Sequence, residues 1–270
     1  MKKQFSATDA QLRCKRYRKR ILDVSQTVSA LHIAPAFSCL EMIDCAYHGL
    51  MTNWRTEEEG DRFIISKGHG SMALYSVLED LGVMPKEYVD HYSKPGWPLS
   101  THPDYGNPGI HASTGSLGHG LGLAVGMGYA DLMDQKDRSL YLVLSDGELM
   151  EGSVWEAIML APSLGIKNLV IMIDSNDFIS LGRPSEMLSN FYPLEEKFQA
   201  FGWEVKTVNG HDSEAIFQTV EGRSGTKPFA LIGKTIKGKG VSYMENIPLW
   251  HYRSPNQEEY QQALKEIENS

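Results

Sequence analysis

Cysteine is scarce in this chain of 270 residues: Cys14, Cys39 and Cys45 are the only three. An odd number with no C-x-x-C spacing builds neither a disulfide framework nor a thiolate metal site. They are expected to be reduced thiols of a cytoplasmic protein. Long apolar runs are also missing: nothing approaches the roughly 18 residues a membrane helix needs. The opening MKKQFSAT is not followed by the apolar core of a secretory signal. Positive charge is not in excess either. With 26 Lys+Arg against 34 Asp+Glu the net charge is −8, which argues against a general nucleic-acid binder. Repeats, low-complexity tracts and linkers are lacking, so residues 1–270 are expected to form a single α/β domain, long enough to bury a large core.

What is present is a strand–helix–strand unit from Leu140 to Gly182. Leu140–Leu144 is a short apolar run of the kind a buried parallel strand uses. Ser145-Asp146-Gly147 breaks it as a turn. From Gly152 to Leu164, Val154, Ile158, Leu160 and Ala161 mark roughly one helical face. Leu169–Ile173 is a second apolar run, ended by Asp174-Ser175-Asn176-Asp177. A crossover helix between parallel strands brings both strand C-termini to one sheet edge, where open α/β sheets bind ligands. Asp146, Asn176 and a backbone carbonyl beyond it offer hard oxygens suited to Mg²⁺ or Ca²⁺, with phosphate and water completing the shell. A helix N-terminus just after Gly147 would present N–H groups and a positive dipole end to a diphosphate. The competing reading is ordinary turn chemistry after strands.

The whole pattern resembles the thiamine-diphosphate signature, Gly-Asp-Gly followed after about thirty residues by Asn. Serine replaces the first glycine, at Ser145, and one asparagine-type position, at Ser175. The extended run Asp146-Gly147-Glu148-Leu149-Met150-Glu151-Gly152 is similar to transketolases rather than to other thiamine enzymes. Further elements agree. Asp61–Gly70 is a short strand ending in Ser-Lys-Gly-His-Gly, whose family histidine, His69 here, contacts the diphosphate and the reacting carbon. Thr101-His102-Pro103-Asp104 matches a Gly-His-Pro-Glu element with its histidine at the substrate end. Thr114–Gly122 is the glycine-rich helix start whose Gly115 and Leu117 positions touch the cofactor rings. His32 matches a substrate-facing histidine, although Leu31, Pro35 and Phe37 bring bulk that would reshape the substrate channel. Pro228–Gly240 resembles the last strand and its active-site loop, and His251 falls where that loop ends.

The resemblance implies a three-layer α/β/α fold with a mostly parallel central sheet, the diphosphate-binding domain of a thiamine enzyme. It implies catalytic roles for His32, His69, His102 and His251. Cofactor contacts would come from His69, Gly115, Leu117, Asp146, Gly147, Glu148, Asn176, Ile236 and His251, with Asp146, Asn176 and the Phe178 carbonyl on the metal. Glu151 and Glu156 would lie at a subunit interface; without the resemblance they read as solvated helix charges. The likeness spans essentially this whole chain but only half of a full-length transketolase. The pyrimidine-binding part would therefore sit on a second chain, as in a split enzyme, and a heterotetramer with two copies of each chain is the family-like assembly. The activity implied is transfer of a two-carbon unit from a sugar or sugar-phosphate ketose to an aldehyde, with no membrane or nucleic-acid partner. The alternatives are another thiamine-dependent acyloin or acyl transfer on the same scaffold, a non-catalytic stabilising chain, and a flavodoxin-like nucleotide binder. Finally, Arg13, Lys15, Arg16, Arg18, Lys19 and Arg20 crowd a predicted Thr8–Val28 helix and read as a solvated basic face.

Overall fold

The computed structural model describes residues 5–56, 59–180 and 182–269. In chain order the elements are α1 (Ala7–Ser25), α2 (Ile33–Cys45), β1 (Arg62–Ile65), α3 (Ser71–Asp80), α4 (Lys86–Asp90), α5 (Gly120–Met133) and β2 (Leu140–Ser145). They continue as α6 (Gly152–Ser163), β3 (Leu169–Ser175), α7 (Pro184–Met187), α8 (Leu194–Ala200), β4 (Glu204–Asn209), α9 (Ser213–Glu221), β5 (Phe229–Lys234) and α10 (Gln257–Asn269). The five strands form one sheet in the order β1-β2-β3-β5-β4, and every pairing is parallel.

Period-two alternation along the strands divides the core. Phe63, Ile65, Tyr141, Val143, Val170, Met172, Phe229 and Leu231 face one side, packed with residues of α1, α2, α3, α9 and α10. Ile64, Leu142, Leu144, Ile171, Ile173, Ala230 and Ile232 face the other, packed with α5, α6 and α8. This is the expected three-layer arrangement. Strands buried on both faces are apolar along most of their length, which is why β2 and β3 read as near-continuous runs with polar residues only at their C-terminal ends, Ser145, Asp174 and Ser175. Each large apolar side chain buried in this way contributes about 1.5–3 kcal/mol. β4 lies at the sheet edge, and its exposed Lys206 and Thr207 discourage further strand pairing.

Two local expectations change. α1 is capped by the Ser6 hydroxyl, which accepts the Asp9 N–H at 3.2 Å, but it ends at Ser25 rather than Val28. Of its basic residues, Arg13, Arg18 and Arg20 form an ion-pair seam rather than a solvated face, while Arg16 and Lys19 remain exposed. Arg13 binds Asp44 at 2.6 Å, Arg20 binds Glu79 at 2.7 Å and Asp90 at 2.6 Å, and the buried Arg18 binds Glu41 at 2.6 Å. Helix formation between residues 86 and 101 is limited to α4; the Pro/Gly-rich remainder turns back and stacks Trp97 on His91. Among the described residues no helix is long and apolar enough to cross a membrane.

Because every strand runs the same way, the segments 66–69, 146–148, 176–178 and 235–237 all leave the same edge. The ladder extends past the strands to fix them: Ser66 donates to the Val143 carbonyl at 2.8 Å, Asp146 to the Asp174 carbonyl at 3.2 Å and Thr235 to the Ser175 carbonyl at 3.2 Å.

Candidate active site

Asp146 is fully buried where β2 ends. One carboxylate oxygen accepts the Gly147 N–H at 2.8 Å; the other accepts the Asp177 N–H at 2.6 Å and the Tyr192 hydroxyl at 2.8 Å. Among the described residues no cation pairs with it, and burial raises its pKa to about 6. A buried carboxylate without a counter-charge is what a bound divalent cation relieves. Asn176 lies in the loop that Asp146 holds. Its side-chain oxygen accepts the Phe178 N–H at 3.0 Å, and its amide donates to Asp174 at 3.1 Å. The corner is shaped for close approach: a Cβ at Gly147 would lie 2.6 Å from Ile179 Cγ2 and 3.6 Å from the Phe178 carbonyl oxygen. Among the described residues no three His, Cys, Asp or Glu side chains gather as a metal site. The donor set here is of another kind, one carboxylate with an amide and a carbonyl, and these oxygens fit a hard cation.

The helix N-terminus expected directly after Gly147 is not there. Gly147–Met150 is one turn of 3₁₀ helix, and α6 begins at Gly152. The Gly147 N–H is taken by Asp146, and the Glu148 N–H donates to Ser145 Oγ at 3.2 Å. Ser175 Oγ accepts the Lys234 amine at 3.2 Å, so both substituting serines take up local hydrogen bonds. Positive charge comes instead from lysines that the sequence reading did not single out. Lys67, 1 % exposed, donates to Asp174 and to the Pro35 carbonyl at 2.9 Å. Asp174 also receives Ser38, Thr235 and Asn176, so this buried pair is fully satisfied and pins α2, β1, β3 and β5 together. Lys237 differs. It is 2 % exposed, forms no ion pair among the described residues, and contacts His251 Nδ1 at 2.9 Å and the Ile179 carbonyl at 3.5 Å. Burial, with Lys67 nearby, lowers its pKa to about 8. An unpaired buried amine calls for an anion. The only signal in the sequence was a lysine between a buried strand and two glycines.

The four predicted histidines converge. His32 is central, with ring centroids 5.7 Å from His69, 6.3 Å from His102 and 5.3 Å from His251; His69 and His251 are 5.4 Å apart. Tyr252 covers His32 at 4.4 Å. Burial lowers the pKa of His32 to about 4 and that of His251 to about 3, and it lowers that of His69 as well. His32, His69 and His251 are therefore neutral at pH 7, and each of these rings offers one donor and one acceptor. His32 Nδ1 is buried and unbonded, a polar atom without a protein partner. Leu31, Pro35 and Phe37 are buried in the core around α2 and do not line the opening, contrary to the channel reshaping expected of them.

The glycine-rich loop closes the other wall. A Cβ at Gly115 would be 2.6 Å from His102 Cγ, and one at Gly68 only 2.7 Å from Gly115 Cα, so glycine is required for this contact. Leu117 is half-buried beside it. Glu148 lies beneath this loop, fully buried. One oxygen accepts Ser66 Oγ at 2.5 Å and the Gly118 N–H at 3.0 Å, while the other has no partner, and burial raises its pKa. Ile236 is half-buried at the head of the last loop. Glu151 is exposed at the start of α6 and packs against Gly118 of this loop, where a Cβ would lie 2.8 Å from Glu151 Cβ, and Glu156 is exposed one turn further along α6.

A parallel sheet whose C-terminal edge gathers a buried carboxylate and a buried amine, neither in an ion pair among the described residues, beside a histidine cluster is an α/β sheet with its polar groups concentrated at the edge where such sheets bind ligands. The chain belongs to the transketolase family: residues 46–267 match the family described as "Transketolase, thiamine diphosphate binding domain". It is 39% identical over 262 residues to one of the subunits of the apulose-4-phosphate transketolase of Phocaeicola vulgatus, covering 95% of this chain and 93% of the relative. It is 35% identical over 260 residues to the 6-deoxy-6-sulfo-D-fructose transketolase subunit SqwG of a Clostridium species, covering 93% of each. The transketolase of Campylobacter jejuni superposes with a TM-score of 0.88 at 27% identity, over 98% of this chain and 43% of that one. The chain thus spans less than half the length of that solved transketolase.

Proposed function

We propose that this chain is the diphosphate-binding subunit of a two-chain transketolase, moving a two-carbon ketol unit from a ketose or ketose phosphate to an aldehyde. The observation that carries the reading is the meeting of Asp146, Lys237 and the histidine cluster at one sheet edge. Asp146, Asn176 and the Phe178 carbonyl would hold Mg²⁺. Lys237 would neutralise diphosphate oxygens, and Gly115, Leu117 and Ile236 would wall the cofactor. Thiamine diphosphate supplies a nucleophilic carbon that stores the transferred unit. His32, His69, His102 and His251 would bind substrate hydroxyls and the reacting carbonyl oxygen, and a neutral imidazole there can give or take a proton at that oxygen. Relatives named for apulose 4-phosphate and for a sulfonated fructose support a sugar carrying an anionic group as the substrate class.

A second chain would supply the pyrimidine-binding half. The relatives' names, which call each of them one subunit of a transketolase, support it. So does an apolar face on α5 and α6 where Leu123, Tyr129, Met133 and Met159 are exposed beside Glu156. Residues 1–270 would act as one domain in an assembly with two of each chain. Three buried free cysteines suit a cytoplasmic setting. Calorimetric titration of thiamine diphosphate with Mg²⁺, with and without the protein encoded beside this one, tests the reading. Tight binding should need the neighbour. Full ketol transfer by this chain alone would remove the two-chain proposal, and no binding with the neighbour present would remove the cofactor role.

A further inference from the structure

Behind the segment 235–240 lies a buried ionic triad that the chemistry above does not use. Arg18 on α1 donates to Glu41 Oε1 on α2 at 2.6 Å, and His211, in the loop after β4, lies with Nδ1 3.0 Å from Glu41 Oε2. The Ile236 N–H points at His211 Nε2 at 2.9 Å. A backbone N–H can only donate, so Nε2 is the accepting nitrogen and Nδ1 carries the proton given to Glu41. Arg18 Nε also donates to the Lys239 carbonyl at 3.0 Å. The two ends of 236–239 are thus tied to one triad, the first through His211 and the second through Arg18.

Within the segment the Lys239 N–H closes a turn on the Ile236 carbonyl at 3.1 Å and the Gly238 N–H donates to the Ala34 carbonyl at 3.1 Å, while the Ile236 N–H is held by His211. Gly238 at φ +82° and Gly240 at φ +96° adopt backbone that other residues resist, and a Cβ at Gly238 would lie 2.6 Å from the Met244 carbonyl oxygen. Lys237, the unpaired amine, lies between the tied ends. All three triad side chains are more than nine-tenths buried, at 8 %, 9 % and 8 % exposure. Burying ionic groups is costly for stability, so their retention calls for a role in fixing one geometry. Burial opposes ionisation of Glu41, but Arg18 and His211 outweigh it and hold the carboxyl below its usual range.

We propose that Arg18, Glu41 and His211 are positioning residues, a latch that presents Ile236 and Lys237 to the cofactor. This rests on the functional reading above. Hydrogen exchange followed by mass spectrometry on peptides spanning 235–241, in the cofactor-free two-chain protein, reads the latch without activity. His211→Ala should speed exchange at Ile236 about ten-fold, the loss of one hydrogen bond, and leave peptides around Leu140–Ser145 unchanged. With cofactor, the same variant should raise the thiamine diphosphate concentration for half-saturation at least ten-fold, with turnover at saturation changed less. His211→Gln, whose amide oxygen can accept the Ile236 N–H, should recover both; Glu41→Gln should lie between.

Unchanged exchange in 235–241 overturns the proposal. So does faster exchange across the whole chain that His211→Gln does not recover, which would make the triad a packing element. Faster local exchange with unaltered cofactor affinity overturns it as well. If the wild-type complex binds no thiamine diphosphate, the functional reading fails, and the exchange contrast still decides whether the latch exists.

Discussion

Lys237→Met separates stability from function at a single atom. The amine is 2 % exposed, has His251 Nδ1 at 2.9 Å and pairs with no carboxylate among the described residues. Burial lowers its pKa from 10.5 to about 8. The unfolded chain therefore holds this proton over a pH range in which the folded chain has released it. Stability contributed by this group rises with pH between about 8 and 10.5, and below 8 the folded state carries a penalty of about 3 kcal/mol. Methionine removes the charge and keeps the length. It also removes the hydrogen bond to His251, about 1 kcal/mol. The net expectation for the cofactor-free chain at pH 7 is a gain of about 2 kcal/mol, a rise of roughly 4–8 °C in Tm for a domain of this size. The gain should vanish at about pH 10 and become a loss of up to about 1 kcal/mol above pH 10.5, where only the missing hydrogen bond counts. Affinity for thiamine diphosphate should fall about ten- to hundred-fold, the loss of one charge-assisted contact. Differential scanning calorimetry at the two pH values and titration with the partner chain measure both. A lower Tm at pH 7 with unchanged affinity would refute the reasoning, because the amine would then be a satisfied structural group.

Asp146→Asn should lose Mg²⁺-dependent cofactor binding while remaining folded. Asp146→Ala should also lower stability by several kcal/mol, since it strands the Gly147 and Asp177 N–H groups and the Tyr192 hydroxyl; thermal melts and calorimetry of both variants check this. The histidines give a pH signature of the same origin and sign as that of Lys237, in a lower pH window. With folded pKa values lowered to about 4 for His32 and about 3 for His251, the unfolded chain binds more protons below the ordinary 6.5. Stability should therefore fall as pH drops from 6.5 towards 4, and His251→Gln should flatten the fall in a pH series of melts.

The sheet was legible because strands buried on both faces have few polar positions to blur them: Leu140–Leu144 and Leu169–Ile173 differ from β2 and β3 only at their last residues. The meeting of His32, His69, His102 and His251 was legible through motif likeness, since those positions are separated by up to 219 residues and no periodicity joins them. Charge was the part sequence reading handled worst. Whether a lysine or arginine is solvated, paired or stranded depends on what packs against it. Arg18 in a basic run looked like surface and is buried on Glu41. Lys67 and Lys237 both follow a buried strand, yet one has Asp174 and the other has no ion-pair partner among the described residues. The turn after Gly147 was misread for a related reason. Asp146 and Ser145 cap it from within, which leaves one 3₁₀ turn directly after Gly147, and α6 begins at Gly152, where the apolar periodicity itself starts.

These electrostatics also say why the site should be cold without its ligands. Asp146 and Lys237 are both buried and of opposite charge, yet they form no ion pair with each other; each is shifted towards its neutral form. Joining them directly would stabilise the free protein and fill the site. On the proposed function a magnesium diphosphate would satisfy both at once, with Asp146 holding the cation and Lys237 the phosphate, and binding would return the stability that the separated charges withhold. The fully satisfied Lys67–Asp174 pair beside them ties α2, β1, β3 and β5 together at this edge, so the frame does not depend on Asp146 or Lys237 being paired.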